Sequence, residues 1–342
     1  MTLWERSRIA QTVAADDTCL ADAADPGVPA DPLAELLRDP SIDEIMVNGP
    51  AEIWIERFGQ LERSSLSYRD AATLRDVCVR LVARAGRRLD DASPMVDARL
   101  ADGSRLNVVL HPLAPDGPLL TLRRFAPVPF TLGQLVERGS ITAPDADRLR
   151  ELVQARRAIV IAGATSSGKT SLLGALAREI PATERIITVE DSAELRIDRP
   201  HVVRLEARQA NVEGRGDVSI RELVRNALRM RPDRLIVGEV RGGEALDMLQ
   251  ALNTGHAGSL TTVHANAPAD ALRRIETMAL MGDVELPHRV VREQVATAID
   301  VVVQLERLPH GARRVGEIAA VQRDAEGWRL DAPDQALAAC TA

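Results

Sequence analysis

The chain has 342 residues and a net charge of −7, with 43 basic against 50 acidic side chains. At 45 % hydrophobic and 27 % charged residues it is ordinary globular material, neither fibrous nor wholly disordered, and its length exceeds what one core usually serves. No apolar run reaches the ~20 residues of a membrane-spanning helix, Cys19, Cys78 and Cys340 form neither a disulfide framework nor a CxxC metal site, and the acidic balance argues against dedicated nucleic-acid binding.

Residues 1–30, rich in Ala, Asp and Pro, read as a disordered or frayed lead-in, and Met1-Thr2-Leu3-Trp4-Glu5-Arg6 lacks the apolar core of a signal peptide. A cytoplasmic protein is expected. Asp31-Pro32 can cap a short helix over Leu33–Arg38. Two β-like runs between Ile42 and Arg57 flank the turn Asn48-Gly49-Pro50, which predicts a hairpin. Leu74, Val77, Cys78, Leu81 and Val82 recur at helical spacing within Ala71–Ala85, with Gly86 as a stop. A second hairpin is expected about Asp102-Gly103, between Val96–Ala101 and Arg105–Leu110, and a strand at Leu119–Phe125. Residues 31–125 are therefore read as an α+β domain.

Ala126-Pro127-Val128-Pro129-Phe130 opens an expected linker over 126–140. Over 141–342 the rhythm changes. Apolar runs at Ala158–Ala162, Arg185–Val189, Val202–Leu205, Leu235–Val237, Ser259–Val263 and Val301–Leu305 read as strands. Helices are expected at Lys169–Ile180, Ile220–Met230 (with capping-box residues Ser219 and Glu222), Glu244–Leu252 and Pro268–Met281. This alternation is that of an α/β domain whose mainly parallel sheet is covered on both faces.

One lysine, Lys169, occurs in the whole chain, leaving 42 of the 43 basic groups as arginine. It sits in Gly163-Ala164-Thr165-Ser166-Ser167-Gly168-Lys169-Thr170, which satisfies G-x-x-x-x-G-K-[ST] between a buried-type strand and the amphipathic helix starting at Ser171. Backbone N–H groups of such a loop converge on phosphate oxygens, the lysine reaches the β- and γ-phosphates, and the Thr170 hydroxyl binds Mg²⁺. ATP and Mg²⁺ are the expected ligands. Ala164 and Ser166 stand where glycine is common, and a positive φ at Ser166 would cost about 1 kcal/mol.

Hydrolysis also needs a carboxylate near the attacking water. Arg234-Leu235-Ile236-Val237-Gly238-Glu239 is an apolar strand ending in glycine and a carboxylate, which puts Glu239 at the C-terminal strand edge where open α/β sheets bind ligands. Glu239 is also a candidate for Mg²⁺ contact through water. A second acidic cluster, Glu190-Asp191-Ser192-Ala193-Glu194, follows the strand ending at Val189. His256 and His264 flank another strand, and His264 could sense a γ-phosphate, its charge favouring the trianion.

These motifs, in this order, resemble the type II/type IV secretion and type IV pilus ATPase superfamily. Within it, Glu44-Ile45-Met46-Val47-Asn48-Gly49-Pro50, Ser93-Pro94-Met95-Val96-Asp97-Ala98-Arg99-Leu100, Leu122-Arg123-Arg124-Phe125, Asn211-Val212-Glu213-Gly214-Arg215-Gly216 and Gly238-Glu239-Val240-Arg241-Gly242-Gly243-Glu244 look most like the TadA/CpaF branch that assembles Tad pili. The resemblance covers about residues 31–305 and implies a RecA-like P-loop NTPase core behind a smaller α+β domain. It further implies a homo-hexamer, catalytic Lys169, Glu239, Glu190, His264 and Arg241, and nucleotide contacts from Gly163 through Ser171. Arg123 and Arg124 match the family's phosphate-contacting arginines, and the implied partner is an inner-membrane platform protein. The longer N-terminal module of many members and the tetracysteine metal module of type II ATPases are not seen. A type IV secretion or conjugation motor, and a non-hydrolysing nucleotide-responsive scaffold, are the alternatives.

No Phe, Tyr or Trp occurs between Phe130 and Trp328. Single-strand binders stack bases on aromatic platforms, so this domain is poorly equipped for strand handling. The same gap leaves adenine to Phe125, Phe130, or aliphatic and arginine surfaces.

Overall fold

The computed structural model describes residues 31–57, 59–124, 130–208, 215–282, 284–308 and 311–332. The expected lead-in over 1–30, Phe125 and the motif residues Asn211–Gly214 lie outside them. The chain divides into two compact units, one ending at Pro127 and the other beginning at Val128.

In the first unit, α1 (Pro32–Leu37) starts at Asp31, whose carboxylate accepts from the Leu33 N–H at 3.0 Å and from the Tyr68 hydroxyl at 3.0 Å. The strands β1 (Ile42–Asn48), β2 (Ile53–Arg57), β3 (Gln60–Arg63), β4 (Met95–Arg99), β5 (Arg105–Val109) and β6 (Leu119–Arg123) form an antiparallel sheet in the order β3-β2-β1-β6-β5-β4. Helix α2 (Ala71–Arg84), capped by Asp70, buries the stripe Leu74, Val77, Cys78, Leu81 and Val82 in the same core as Ile45, Val47, Leu106, Leu120 and Leu122. Side chains alternate across a strand, so every second residue of β1, β5 and β6 enters that core.

The second unit is built on an eight-stranded sheet. Its strands are β7 (Ile159–Gly163), β8 (Ile186–Glu190), β9 (Val202–Glu206), β10 (Arg234–Val237), β11 (Leu260–Val263), β12 (Val301–Arg307), β13 (Arg313–Asp324) and β14 (Gly327–Asp331). The order is β14-β13-β12-β7-β11-β10-β8-β9, parallel from β12 to β9, with β13 and β14 added antiparallel at one edge. Helices α3 (Leu132–Glu137), α4 (Ala143–Gln154) and α5 (Lys169–Ala177) cover the face bearing Ile159, Ile161, Ile186 and Ile236. Helices α6 (Ile220–Ala227), α7 (Glu244–Asn253), α8 (Pro268–Leu280) and α9 (His288–Ala298) cover the face bearing Val160, Ala162, Val189 and Val237. No described helix is long and apolar enough to cross a membrane.

Part of the segment expected as a linker, 126–140, is structured. Thr131 and Gln134 form a capping box at the start of α3, and Leu132 and Leu135 are buried in the second unit's core. The prolines end before this signal begins, so they punctuate without excluding a helix after them. Helices α4 and α9 and the hairpin β13–β14 also add to the elements read from the sequence.

Arg234, first residue of β10, is fully buried. Its guanidinium donates to Glu184 Oε2 at 2.6 Å, to the Gly258 carbonyl at 2.9 Å and to the Val153 carbonyl at 2.9 Å. Gly258 has φ +79, and a Cβ there would sit 2.1 Å from Arg234 Nη1 and 2.8 Å from Arg156 Cα, so no side chain fits. Removing the cation would leave two carbonyls unpaired and the nearly buried Glu184 carboxylate with only the half-exposed Arg156, 3.3 Å away. Arg234→Met should therefore cost about 3–5 kcal/mol, read as a lower urea midpoint at unchanged slope; a loss below about 1 kcal/mol would contradict the buried pairing.

Candidate active site

The parallel strands β7, β11, β10 and β8 lie side by side and end at one edge of the sheet, each followed by one segment with chemical potential. Strand β7, buried throughout, delivers Gly163 to a loop that closes on α5. A Cβ on Gly163 would lie 2.4 Å from Ser167 Oγ and 3.0 Å from the Leu305 carbonyl oxygen, so only glycine allows the loop to fold back. Ser166 takes φ 58, the left-handed conformation whose cost was weighed above, and Gly168 takes φ 95 as the N-cap of α5. Ala164, Thr165 and Thr170 are exposed, Ser171 is half-buried, and Ser167 is buried with its hydroxyl unbonded. Lys169 is only 8 % exposed, and its ammonium donates to the carbonyls of Gly163 at 3.0 Å and Ala164 at 2.8 Å.

Glu190 ends β8. Its Oε1 accepts the backbone N–H groups of Glu194 and Leu195, both at 2.9 Å, whereas its Oε2 is buried without a hydrogen-bond partner. Burial pushes the Glu190 carboxyl up to about 7, against the lowering effect of those two N–H groups and Arg204. The carboxyl lies against Gly238 on β10's extension: a Cβ on Gly238 would meet Glu190 Cγ at 2.8 Å. Glycine at this position thus makes room for the neighbouring glutamate. Thr262 closes the same edge by donating to the Gly238 carbonyl at 2.7 Å.

Glu239 accepts from Arg241 Nη2 at 2.7 Å through Oε2. His264 Nε2 lies 2.8 Å from the other carboxylate oxygen, which makes no aligned hydrogen bond. The imidazole is held below its ordinary pKa, first by burial and then by the Lys169, Arg241 and Arg274 charges, with Glu239 opposing. Desolvation and three nearby cations thus disfavour the charged form of His264 in this structure.

Arg241 pairs with Glu239 and, at 3.4 Å, with Asp191. Its turn is fixed from below, where Glu244 Oε1 accepts the backbone N–H groups of Arg241 at 2.7 Å and Gly242 at 2.9 Å. Arg123 and Arg124 belong to the first unit. Arg123 stands opposite Glu44 and Arg105 across the sheet, and Arg124 Nη1 donates to the Asp39 carbonyl at 2.5 Å. The hold of Glu244 on the Arg241–Gly242 turn and the packing of Glu190 on Gly238 are site features that motif spacing does not reveal.

The model of the type II/IV secretion system protein family matches residues 28–339. Rv3659c of Mycobacterium tuberculosis (strain H37Rv), whose name assigns it provisionally to conjugal transfer, is 42 % identical over 301 residues, 86 % of this chain and 85 % of the relative. The type IV secretion system protein PtlH of Bordetella pertussis is 38 % identical over 305 residues, 80 % of this chain and 88 % of the relative. Among solved structures, the Legionella pneumophila ATPase DotB aligns with a TM-score of 0.58 over 90 % of this chain and 84 % of that one; at 22 % identity this shows a shared fold. These relatives bear conjugal-transfer and type IV secretion names, not specifically those of the TadA/CpaF branch, so the motif runs identify the superfamily without singling out that branch. With nearly its whole length matched, the chain belongs to the type II/IV secretion system protein family.

Proposed function

We propose that this chain is an ATP-hydrolysing motor that works as a homo-hexamer in a type IV secretion or conjugal-transfer apparatus. It would dock from the cytoplasm on an inner-membrane platform protein and have no dedicated nucleic-acid site. The observation that carries the catalytic part is the convergence, at one sheet edge, of Lys169, His264, Glu239 and Glu190 from four adjacent parallel strands. The named relatives support the apparatus. Assembly of Tad pili is the second reading, favoured by the motif runs around Asn48-Gly49-Pro50 and Arg123-Arg124.

The loop's residues fit a Mg-nucleotide: it holds an unbonded buried hydroxyl at Ser167, a lysine whose ammonium donates to two loop carbonyls, and an exposed Thr170 hydroxyl at the helix start. Thr170 would hold Mg²⁺ directly and Glu239 through water; the ion neutralises charge on the β- and γ-phosphate oxygens. Backbone N–H groups from Gly163 to Ser171 bind phosphate oxygens, and Lys169 exchanges its carbonyl partners for them. Glu239, held by Arg241 and beside His264, orients the attacking water. Glu190, with its unbonded buried oxygen, takes up the proton. Arg241 offsets charge on the phosphate being cleaved, a task for which the family resemblance also nominates Arg123 and Arg124.

Phosphate release by the purified chain tests this directly. Lys169→Ala should abolish it, and Glu239→Gln should bind ATP yet slow turnover by about 10²-fold or more; full turnover in either variant would refute the mechanism.

A second outcome concerns pH. Because burial raises the folded-state Glu190 carboxyl from 4.5 to about 7, its neutral form favours the fold. That stabilisation is complete below pH 4.5 and is lost as pH rises through about 7. Wild type should therefore lose stability over this interval relative to Glu190→Gln in urea titrations, and the variant should also lose the rise of turnover with pH near 7. Parallel stability profiles would exclude a buried neutral carboxyl.

A further inference from the structure

The β12–β13 hairpin presses on the phosphate loop from within the same unit. Leu305 of β12 pairs in register with Gly163, and its carbonyl oxygen and Cβ lie 3.0 and 3.2 Å from where a Gly163 Cβ would be. Arg313, the first residue of β13, meets the loop's other glycine, its Cδ 3.4 Å and its Cβ 4.0 Å from where a Gly168 Cβ would be. The aliphatic stem of Arg313 thus rests on Gly168, one residue before Lys169. Its neighbour two residues on, Val315, is anchored by packing into the α3–α5 core and by donating its N–H to the Ser140 carbonyl at 2.8 Å. A bulge between Gln304 and Leu305 sets this register, and Gly316 permits it, since a Cβ there would overlap the Glu306 carboxylate.

The sheet order gives this side of the loop a direction. On one side of β7 lie β11 and β10, which bring His264 and Glu239 to the end of the phosphate chain that is cleaved. On the other side lies β12 with its hairpin. A nucleotide laid over the loop with its γ-phosphate toward Glu239 extends its nucleoside the opposite way, toward Arg313.

The rings of the second unit are otherwise engaged. Among the described residues they are Phe130 and Trp328. Phe130 packs against the α3–α5 core and carries the Arg138 guanidinium 4.4 Å from its centroid. Trp328 is 7 % exposed and donates its indole N–H to Glu276. Phe130 thus already carries a guanidinium and Trp328 is buried, which turns attention to the arginine surfaces left open by the aromatic gap. A guanidinium plane stacks on bases much as a ring does.

We propose that Arg313 holds the nucleoside end of the bound nucleotide, its guanidinium stacking on the purine while its stem stays on Gly168. This rests on the nucleotide-hydrolysing reading above and adds a base-contacting residue to that site. The test is calorimetric binding of Mg-ATP and of Mg-tripolyphosphate to the full chain and to Arg313→Ala and Arg313→Lys, each checked for an unchanged melting temperature. Arg313→Ala should weaken ATP by about tenfold and leave tripolyphosphate within about twofold of wild type. Arg313→Lys, which keeps the charge but loses the plane, should match the alanine variant and serves if that one folds poorly. Unchanged ATP affinity in both variants, or equal losses for ATP and tripolyphosphate, would overturn the stacking role. Wild-type chain that binds neither ligand would instead sink the nucleotide reading, and with it the role of Arg313.

Discussion

The candidate site at one edge of the second unit's sheet depends on a cation sealed at the opposite edge. Arg234 sits where β10 begins and binds Glu184 before β8, the Gly258 carbonyl before β11 and the Val153 carbonyl at the end of α4. Isolated charges are costly in an apolar interior, so this guanidinium persists only with its partners in place. Three strand starts are thereby fixed relative to one another. Each parallel strand is then a rigid spacer of four or five residues, and Glu190, Glu239 and His264 emerge at the far end in a set register.

Within that edge the two carboxylates are given different electrostatic surroundings. Glu239 has a guanidinium on one oxygen and an imidazole beside the other. Glu190 is buried, bonded on one oxygen only, and pushed up to about 7. Two acids separated in this way can play distinct parts, one as a charged orienting group and one as a proton carrier. Gly238, the residue before Glu239, is what gives Glu190 its place, because any side chain on it would displace that carboxyl.

Much of this was legible in the sequence where the signal is local. The loop around Lys169, the capping box at Ser219, the stripe in α2 and the six parallel strands all follow from spacing within a few residues. Glu190, Glu239 and His264 were singled out because each follows an apolar run. What spacing does not carry is strand order: that β11 lies between β7 and β10 is a property of the fold, and it alone puts His264 beside Glu239. The charges that bear on His264 are hidden for the same reason, since Lys169 and Arg274 are its neighbours in space only. Strand β13 hid because Arg313, Arg314, Glu317 and Gln322 interrupt its alternation at a solvated edge, and α3 hid behind the two prolines before it.

The grip of Glu244 on the turn at Arg241 and Gly242 has a mechanical consequence. Two backbone N–H groups share one carboxylate oxygen, so the main chain there is a fixed post, while the Arg241 side chain above it is half exposed. A rearrangement at this point needs only side-chain torsions, which relax in picoseconds to nanoseconds, and no melting of the loop. Arg241 can therefore exchange Glu239 for another anion through its own torsions, with the main chain of the turn serving as a fixed pivot.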